Sequence, residues 1–411
     1  MRINRTALGL LAFVLSMDGT LTASAQTTLF ATGSTQTNGR QDTYRIPAIV
    51  RLNNGSLMAF SDRRFGDSGD IGWKNQISVY SRTSTDHGLS WSAQHQDLAI
   101  DSSSVFDFAH GDAATVVDRK SGAVLMMTSS GKDGFASPIN RRPLVARSVS
   151  KDNGLTWTTE EISDNLYANP NVNHLFFSSG RMIQSTRVKQ GKFYRIYSGV
   201  CTQAGSLVAY SDDFGKSWRY LGGNDALPIA GGDECKVEEL PDGSILLSAR
   251  SRKANGRHFN IYRFTNPSNG QGAWSDSFVT SENPADGTYS SQCNGELMLV
   301  PAVDAKGKAT YLLLQSAPAS TDRTHIAIYW KELPRDFTSL TEYVGGWSKF
   351  GLNDAHYAYS TMILDKNGDI AFLAEMGGYQ GIVFQSFSLA TITGGAYSYR
   401  ANPSYRTTAQ P

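Results

Sequence analysis

Cysteine is scarce in this 411-residue chain: Cys201, Cys235 and Cys293 allow at most one disulfide, so stability must come from an ordinary apolar core. Charge excess is missing too, with 38 Lys and Arg against 37 Asp and Glu. Without a global field, nothing implies nucleic acid or a membrane surface as partner, although a local cationic pocket stays open. Beyond the N-terminus no segment approaches the roughly 20 apolar residues that cross a bilayer, so no membrane insertion is expected. No cluster of His, Cys and Asp at metal-ligand spacing appears, and neither a metal nor another cofactor is expected. Helical periodicity is nearly absent, which leaves β-structure.

At the N-terminus, Arg2 and Arg5 precede an apolar run from Ala7 to Val14, and Ala23-Ser24-Ala25 has the small-x-small pattern of a signal-peptidase site. Residues 1–25 read as a signal peptide and 26–411 as the mature chain, secreted or periplasmic. No Cys follows the cleavage site, which argues against a lipid anchor.

The chain repeats itself. Polar turns ending in Gly55, Gly122, Gly180, Gly243, Gly307 and Gly368 are each followed by an apolar run suited to a buried strand, at separations of 67, 58, 63, 64 and 61 residues. Units of that size hold four short strands, and six of them make an all-β, six-bladed β-propeller in a single domain. In phase with these turns, "STDHGLSW", "SKDNGLTW" and "SDDFGKSW" share Ser-x-Asp-x-Gly-x-Ser/Thr-Trp. The Asp accepts backbone N–H bonds, the Gly takes positive φ, and the Trp closes the hairpin, so these are structural turns rather than calcium or sugar sites.

Against the repeat glycines, suspicious polar residues fall at matching offsets. Arg45 and Arg63 flank Gly55, Asp112 precedes Gly122, Glu234 and Arg250 flank Gly243, and Tyr359 and Glu375 flank Gly368. Residues equally far from a hairpin turn are neighbours at its open end, so all seven should gather at one end of the inner strands, near the axis. The Trp turns should lie at the other end. Arg45 interrupts an otherwise apolar strand, "DTYRIPAIV", and with Arg250 and a third arginine would suit a carboxylate-bearing substrate. Arg323 is the preferred third arginine and Arg187 its rival by offset.

These residues resemble a known family. "YRIP" with "DRR" downstream, the three Asp turns, "HGDAATVVD", "DECKVEELPDGSILLSAR", "SAPASTDR", "YAYSTM" and "FLAEMGG" look like a bacterial exo-sialidase of glycoside hydrolase family 33, over essentially the whole mature chain. The resemblance implies a retaining exo-sialidase that hydrolyses terminal α-linked sialic acids on glycoproteins, glycolipids and oligosaccharides. Its partners would be sialylated glycans, and a monomer is expected. It implies that Arg45, Arg250 and Arg323 bind the sialic acid carboxylate, that Glu375 steadies Arg45, and that Tyr359 is the nucleophile with Glu234 as its base. A phenol avoids bringing a carboxylate nucleophile to an anomeric carbon that already bears one; sialidases depart from the two-carboxylate scheme in this way. The acid/base is Asp70 or, as its rival on the same Gly-rich loop, Asp67. Arg63, with Arg64 as alternative, and Asp112 would face the sugar O4. Trp73, Phe135 and Phe108 are candidates for the acetamido pocket. A trans-sialidase or anhydro-sialidase would share these residues, and a non-catalytic glycan-binding propeller would need neither Tyr359 with Glu234 nor an acid on the loop.

Overall fold

The computed structural model describes residues 23–252, 256–281, 293–320, 323–352, 357–378 and 380–401. Six antiparallel sheets follow one another along the chain as the blades of a β-propeller. Blade 1 is Thr43–Arg51, Leu57–Arg64, Ile77–Ser84 and His95–Gln96. Blade 2 is His110–Val117, Val124–Ser130, Leu144–Ser150 and Thr158–Glu161. Blade 3 is Ile183–Gln190, Phe193–Thr202, Gly205–Ser211 and Arg219–Tyr220. Blade 4 is Gly232–Glu239, Ile245–Ser251, Arg257–Asn266 and Gln271–Trp274. Blade 5 is Leu297–Asp304, Ala309–Pro318, Ile326–Glu332 and Ser348–Gly351. Blade 6 is Tyr357–Leu364, Ile370–Met376 and Gly381–Phe387, and its outer strand, Thr27–Ala31, comes from the other end of the chain. That pairing closes the ring and covers the edge that Gly381–Phe387 would otherwise expose. Of the expected signal peptide, Met1 to Thr22 lie outside the described residues, while Ala23 bridges to Phe387.

The core is divided among the blade interfaces. One cluster joins blades 1 and 2 through Phe60, Val79, Val117 and Met126, another joins blades 2 and 3 through Leu125, Met127, Ile196 and Trp218, and the remaining four interfaces repeat the arrangement. Strands buried on both faces are what the unbroken apolar runs after each turn require. The three thiols are buried and free.

Five of the six repeat glycines lie where the spacing predicts, in the turn between a blade's first and second strands: Gly55, Gly122, Gly243, Gly307 and Gly368 have φ of 89°, 77°, 94°, 82° and 88°, the left-handed region that glycine enters without strain. Gly180 is the exception. It lies in a two-residue strand paired in parallel with blade 2, and the hairpin turn of blade 3 falls instead at Gly191. A Cβ on Gly180 would meet Lys236 Nζ at 2.7 Å and Glu296 Oε2 at 3.3 Å, so here glycine makes room for buried ions near the axis. Those ions form a network of Arg181, Lys236, Glu238 and Glu296: Arg181 Nη2 donates to Glu238 Oε2 at 2.6 Å, and Lys236 Nζ lies 3.6 Å from Glu296 Oε2. All four are buried.

The three Asp turns have one hydrogen-bond pattern. In the first, Gly88 N–H donates to Ser84 Oγ at 2.8 Å, Ser90 N–H donates to Asp86 Oδ1 at 2.9 Å, and Ser84 Oγ–H donates to Asp86 Oδ1 at 2.8 Å. Ser150, Asp152, Gly154 and Thr156 repeat it, as do Ser211, Asp213, Gly215 and Ser217. These bonds hold the Asp86 and Asp152 carboxyls down to about 2, through the Ser90 and Thr156 hydroxyls first. Each turn's glycine also docks on the preceding blade: a Cβ would strike Phe384 at Gly88, Met58 at Gly154 and Leu125 at Gly215.

Candidate active site

Four blades carry a register shift at the same level of the inner hairpin: between Arg45 and Ala48, Gly111 and Ala114, Gly232 and Cys235, and Tyr357 and Ser360. A β-bulge re-aims side chains where strict alternation would point neighbours to opposite faces. Two of these bulges use a left-handed residue that is not glycine, Ile46 at φ 59° and Asp112 at φ 58°, a strained backbone that clusters at working sites. Together the bulges aim Arg45, Asp112, Asp233, Glu234 and Tyr359 into one cavity of about 370 Å³ on the axis, completed by Asp70, Arg250, Arg323 and a wall that includes Trp73, Phe135 and Phe176.

Tyr359 is the hub. The guanidinium carbons of Arg45, Arg250 and Arg323 lie 5.6, 5.8 and 6.0 Å from the centre of its ring. Arg250 Nη1 donates to the phenol oxygen at 3.3 Å, and the Glu234 carboxylate acts on the phenol electrostatically. Burial, and then the Glu234 charge, push the phenol well above its usual value, against Arg250 and Arg45. Burial likewise pushes Glu234 up, against the Arg250 guanidinium whose Nε lies 3.0 Å from Oε2. The phenol therefore holds its proton at rest, next to a carboxylate that can accept it and three cations that stabilise the resulting anion.

Glu375 anchors this arrangement from below. It is 1% exposed and accepts from Arg45 Nε at 3.1 Å, Arg45 Nη2 at 3.4 Å, Ile46 N–H at 2.8 Å and Tyr359 N–H at 3.3 Å. One carboxylate thus answers the cation in the Thr43–Arg51 strand and pins two bulges together.

Asp70 and Asp67 separate cleanly. Asp67 turns back to its own loop, accepting from the Ser68 and Gly69 N–H groups at 2.6 and 3.0 Å. Asp70 lines the cavity with its side chain 70% exposed, 2.6 Å from Arg64 Nη1 and 3.8 Å from Arg45 Nη1.

The expectation that Arg63 joins the cluster is corrected. Arg45 pairs across the hairpin with Asp62, and Tyr44 with Arg63. Cross-strand partners share a face, so Asp62 and, two residues on, Arg64 face the site while Arg63 faces away. Arg63 is held by Asp42 at 2.7 Å and stacks over Phe65 and Tyr80. The bulge after Arg45 shifts the pairing and defeats the count of offsets from Gly55. Arg187, the rival for the third arginine, lies away from the cavity: it donates to the Pro241 carbonyl beside the Gly243 turn. Phe108 is also elsewhere, packed on the small cluster of Ile71, Ile77 and Ala109.

Four contributors were not foreseen. Asp233 accepts from Arg250 Nη2 at 2.9 Å and lies 3.4 Å from Arg252 Nε; burial would raise its carboxyl, but Arg250, the Cys201 thiol and Arg252 hold it below its ordinary value. Arg252 also covers the Phe135 ring at 5.2 Å. Phe176 meets Phe135 edge-on at 5.0 Å. Asp62, fully buried, accepts the Asp112 N–H on both oxygens at 3.2 Å. A signal existed for Asp233, which adjoins Glu234, but alternation counts against two neighbours facing one cavity.

Burial, and then the Asp70 charge, push the Asp112 carboxyl up to about 7, against Arg64 and Arg45, with Glu234 adding to the rise. A carboxyl raised above its value of 3.8 in the unfolded chain binds its proton more tightly in the fold. Its contribution to stability is complete below pH 3.8 and is lost as pH rises toward about 7. Asp112→Asn is therefore expected to flatten the pH dependence of the melting temperature across that window. A variant with the parent's pH dependence would rule Asp112 out as its source.

Among the described residues no group of three or more His, Cys, Asp or Glu could hold a metal ion, and no helix is long and apolar enough to cross a membrane.

A family model described as a BNR repeat-like domain matches residues 111–372. The chain is 28% identical over 371 residues to a sialidase of Micromonospora viridifaciens, covering 87% of this chain and 53% of that protein, so it spans about half of that relative's length. It is 25% identical over 414 residues to a sialidase of Paraclostridium sordellii, covering 87% of this chain and 94% of that one. Among solved structures its propeller matches a Hadza microbial sialidase with a TM-score of 0.66 at 22% identity, over 85% of this chain and 66% of the other. It matches the intramolecular trans-sialidase of Ruminococcus gnavus with a TM-score of 0.66 at 16% identity, over 89% and 98%. With well over half its length inside the family match, the chain belongs to the BNR repeat-like domain family and is similar across its propeller to bacterial sialidases.

Proposed function

We propose that the chain is a retaining exo-sialidase that hydrolyses terminal α-linked sialic acids from sialylated glycans through a tyrosyl intermediate. The observation that carries the reading is the convergence of three guanidiniums on Tyr359, with the Glu234 carboxylate lining the same cavity and acting on its phenol. Arg45, Arg250 and Arg323 take the substrate carboxylate, and forked donors suit that group. Held there, the anomeric carbon faces the Tyr359 oxygen. Glu234 accepts the phenol proton as the oxygen attacks, while Asp70 protonates the departing glycosidic oxygen. Asp70, now a carboxylate, takes a proton from water as that water attacks the anomeric carbon, the bond to Tyr359 breaks, Glu234 returns its proton to the departing phenol oxygen, and the two inversions give net retention. Asp112 on the cavity wall, with Arg64 bound to Asp70 beside it, supports assigning this side to recognition of O4. The signal-like residues 1–25 support work outside the cytoplasm.

The test is release from a fluorogenic α-sialoside between pH 4 and 8, with the product followed by NMR. Free sialic acid appearing first as the α-anomer is expected. Release of a β-anomer would overturn the retaining mechanism, and a bicyclic anhydro product or transfer to an added sugar would replace hydrolysis. No release at any pH would overturn the enzyme reading in favour of a binding propeller.

A further inference from the structure

Trp73 is the most exposed ring lining the polar pocket. It lines the cavity yet remains 68% exposed, in contrast to the sheltered rings of Phe135 and Phe176 on the same wall. Its position is nevertheless built. Its N–H donates to the Asp70 carbonyl at 3.2 Å, so Asp70 and Trp73 begin and end one tight turn. The base of the side chain stands on Gly69, where any Cβ would lie 2.9 Å from Trp73 Cβ and 3.2 Å from Cγ. The next residue, Lys74, has φ 74°, a left-handed backbone that reverses the chain behind the indole. The turn is braced from blade 2: a Cβ on Gly134 would lie 1.7 Å from the Ile71 carbonyl oxygen, and one on Gly72 would lie 2.8 Å from Gly134 N. Two glycine backbones in such close approach leave the loop little room to shift. An exposed aromatic face held this firmly, at the mouth, has no packing role to explain it.

We propose that Trp73 is a specificity platform for the departing half of the substrate, a neutral pyranose ring that lays its C–H face on the indole. This rests on the reading of Asp70 as the group that protonates the departing oxygen. A proton donor must lie within hydrogen-bond reach of that oxygen, and the sugar carrying the oxygen then extends outward from Asp70. Trp73, three residues on in the same turn, is the large apolar surface at that exit. A galactose-type sugar, with one apolar and one polar face, matches an aromatic ring whose edge remains in water. The carboxylate and ring substituents of the sialyl unit face the arginines and acids deeper in the cavity, so the indole should act on what the sialic acid is attached to.

The experiment compares Trp73→Ala and Trp73→Phe with the parent on two substrates, sialyllactose and α-sialosyl fluoride, which has no departing sugar. For sialyllactose, kcat/KM is expected to fall about three- to ten-fold in Trp73→Ala, the size of one aromatic contact, and to be partly restored in Trp73→Phe. For the fluoride it should stay within about two-fold of the parent. An equal fall on both substrates would move Trp73 to the sialyl side of the pocket, and no fall on sialyllactose would remove it from recognition; either result overturns the platform while leaving the sialidase reading intact. A parent protein that cleaves neither substrate overturns both.

Discussion

Tyr359→Phe is expected to lower kcat on a natural sialoside roughly 10³-fold or more, the scale on which removing a nucleophile acts, while leaving the melting temperature close to the parent's. The change deletes one oxygen from a buried ring and leaves no cavity of consequence. Ring contacts with Ile46, Cys293 and Ala358 survive it, and so do the three guanidiniums around the ring. What disappears is the atom that, in the proposed mechanism, Glu234 activates and the anomeric carbon receives. Affinity for an unsaturated sialic acid analogue should persist in the variant, because the arginines proposed to hold the carboxylate are untouched. A fluorinated sialoside that traps the intermediate should label the Tyr359 peptide of the parent, read by mass spectrometry. Labelling of Asp70 or Glu234 instead, or a fully active Tyr359→Phe, would end the nucleophile assignment.

The reach of the sequence can be judged from particular residues. Gly55, Gly122, Gly243, Gly307 and Gly368 were legible as turns because a left-handed backbone is a local demand, written at the residue that meets it. Gly180 looked the same and is not a turn, because its reason lies across the axis, in Lys236 and Glu296 from two other blades. The sequence motifs point to Arg45, Arg250, Arg323, Tyr359, Glu234, Asp112 and Asp70 as neighbours, and the fold brings them together around one cavity. The choice of Arg63 over Arg64 failed for a different reason. Offsets from a turn assume an unbroken ladder, and the bulge between Arg45 and Ala48 inserts a shift that no local pattern announces. The same blindness hid Asp233, which shares the pocket with Glu234 only because of the bulge between Gly232 and Cys235. Phe176 and Arg252 were illegible because their partners, Phe135 and Asp233, come from other blades or through a bulged strand.

Removing the Glu375 carboxylate should be the most disruptive single change at the site. Glu375→Ala is expected to cost about 3–5 kcal/mol of stability, the range for deleting one partner of a buried ion pair. Its carboxylate accepts four N–H groups at once, and they belong to the cation at the pocket, the left-handed residue beside it and the backbone of Tyr359. Without it, Arg45 loses its buried counter-charge and the bulge at Ile46, φ 59°, loses the acceptor that stabilises it. Activity should fall for a separate reason: an arginine no longer aimed cannot hold the substrate carboxylate in line with Tyr359. Glu375→Gln sorts the two effects, because it keeps the volume but replaces an acceptor-only group with one carbonyl and two donors, set against the donors of Arg45. The glutamine variant should therefore remain folded at assay temperature while its affinity for an unsaturated sialic acid analogue drops together with kcat/KM. Thermal unfolding and analogue titration on both variants check this. If Glu375→Ala melts with the parent, the ion pair is not what holds the floor of the pocket. If Glu375→Gln binds the analogue as tightly as the parent, Arg45 is aimed by something other than the charge beneath it.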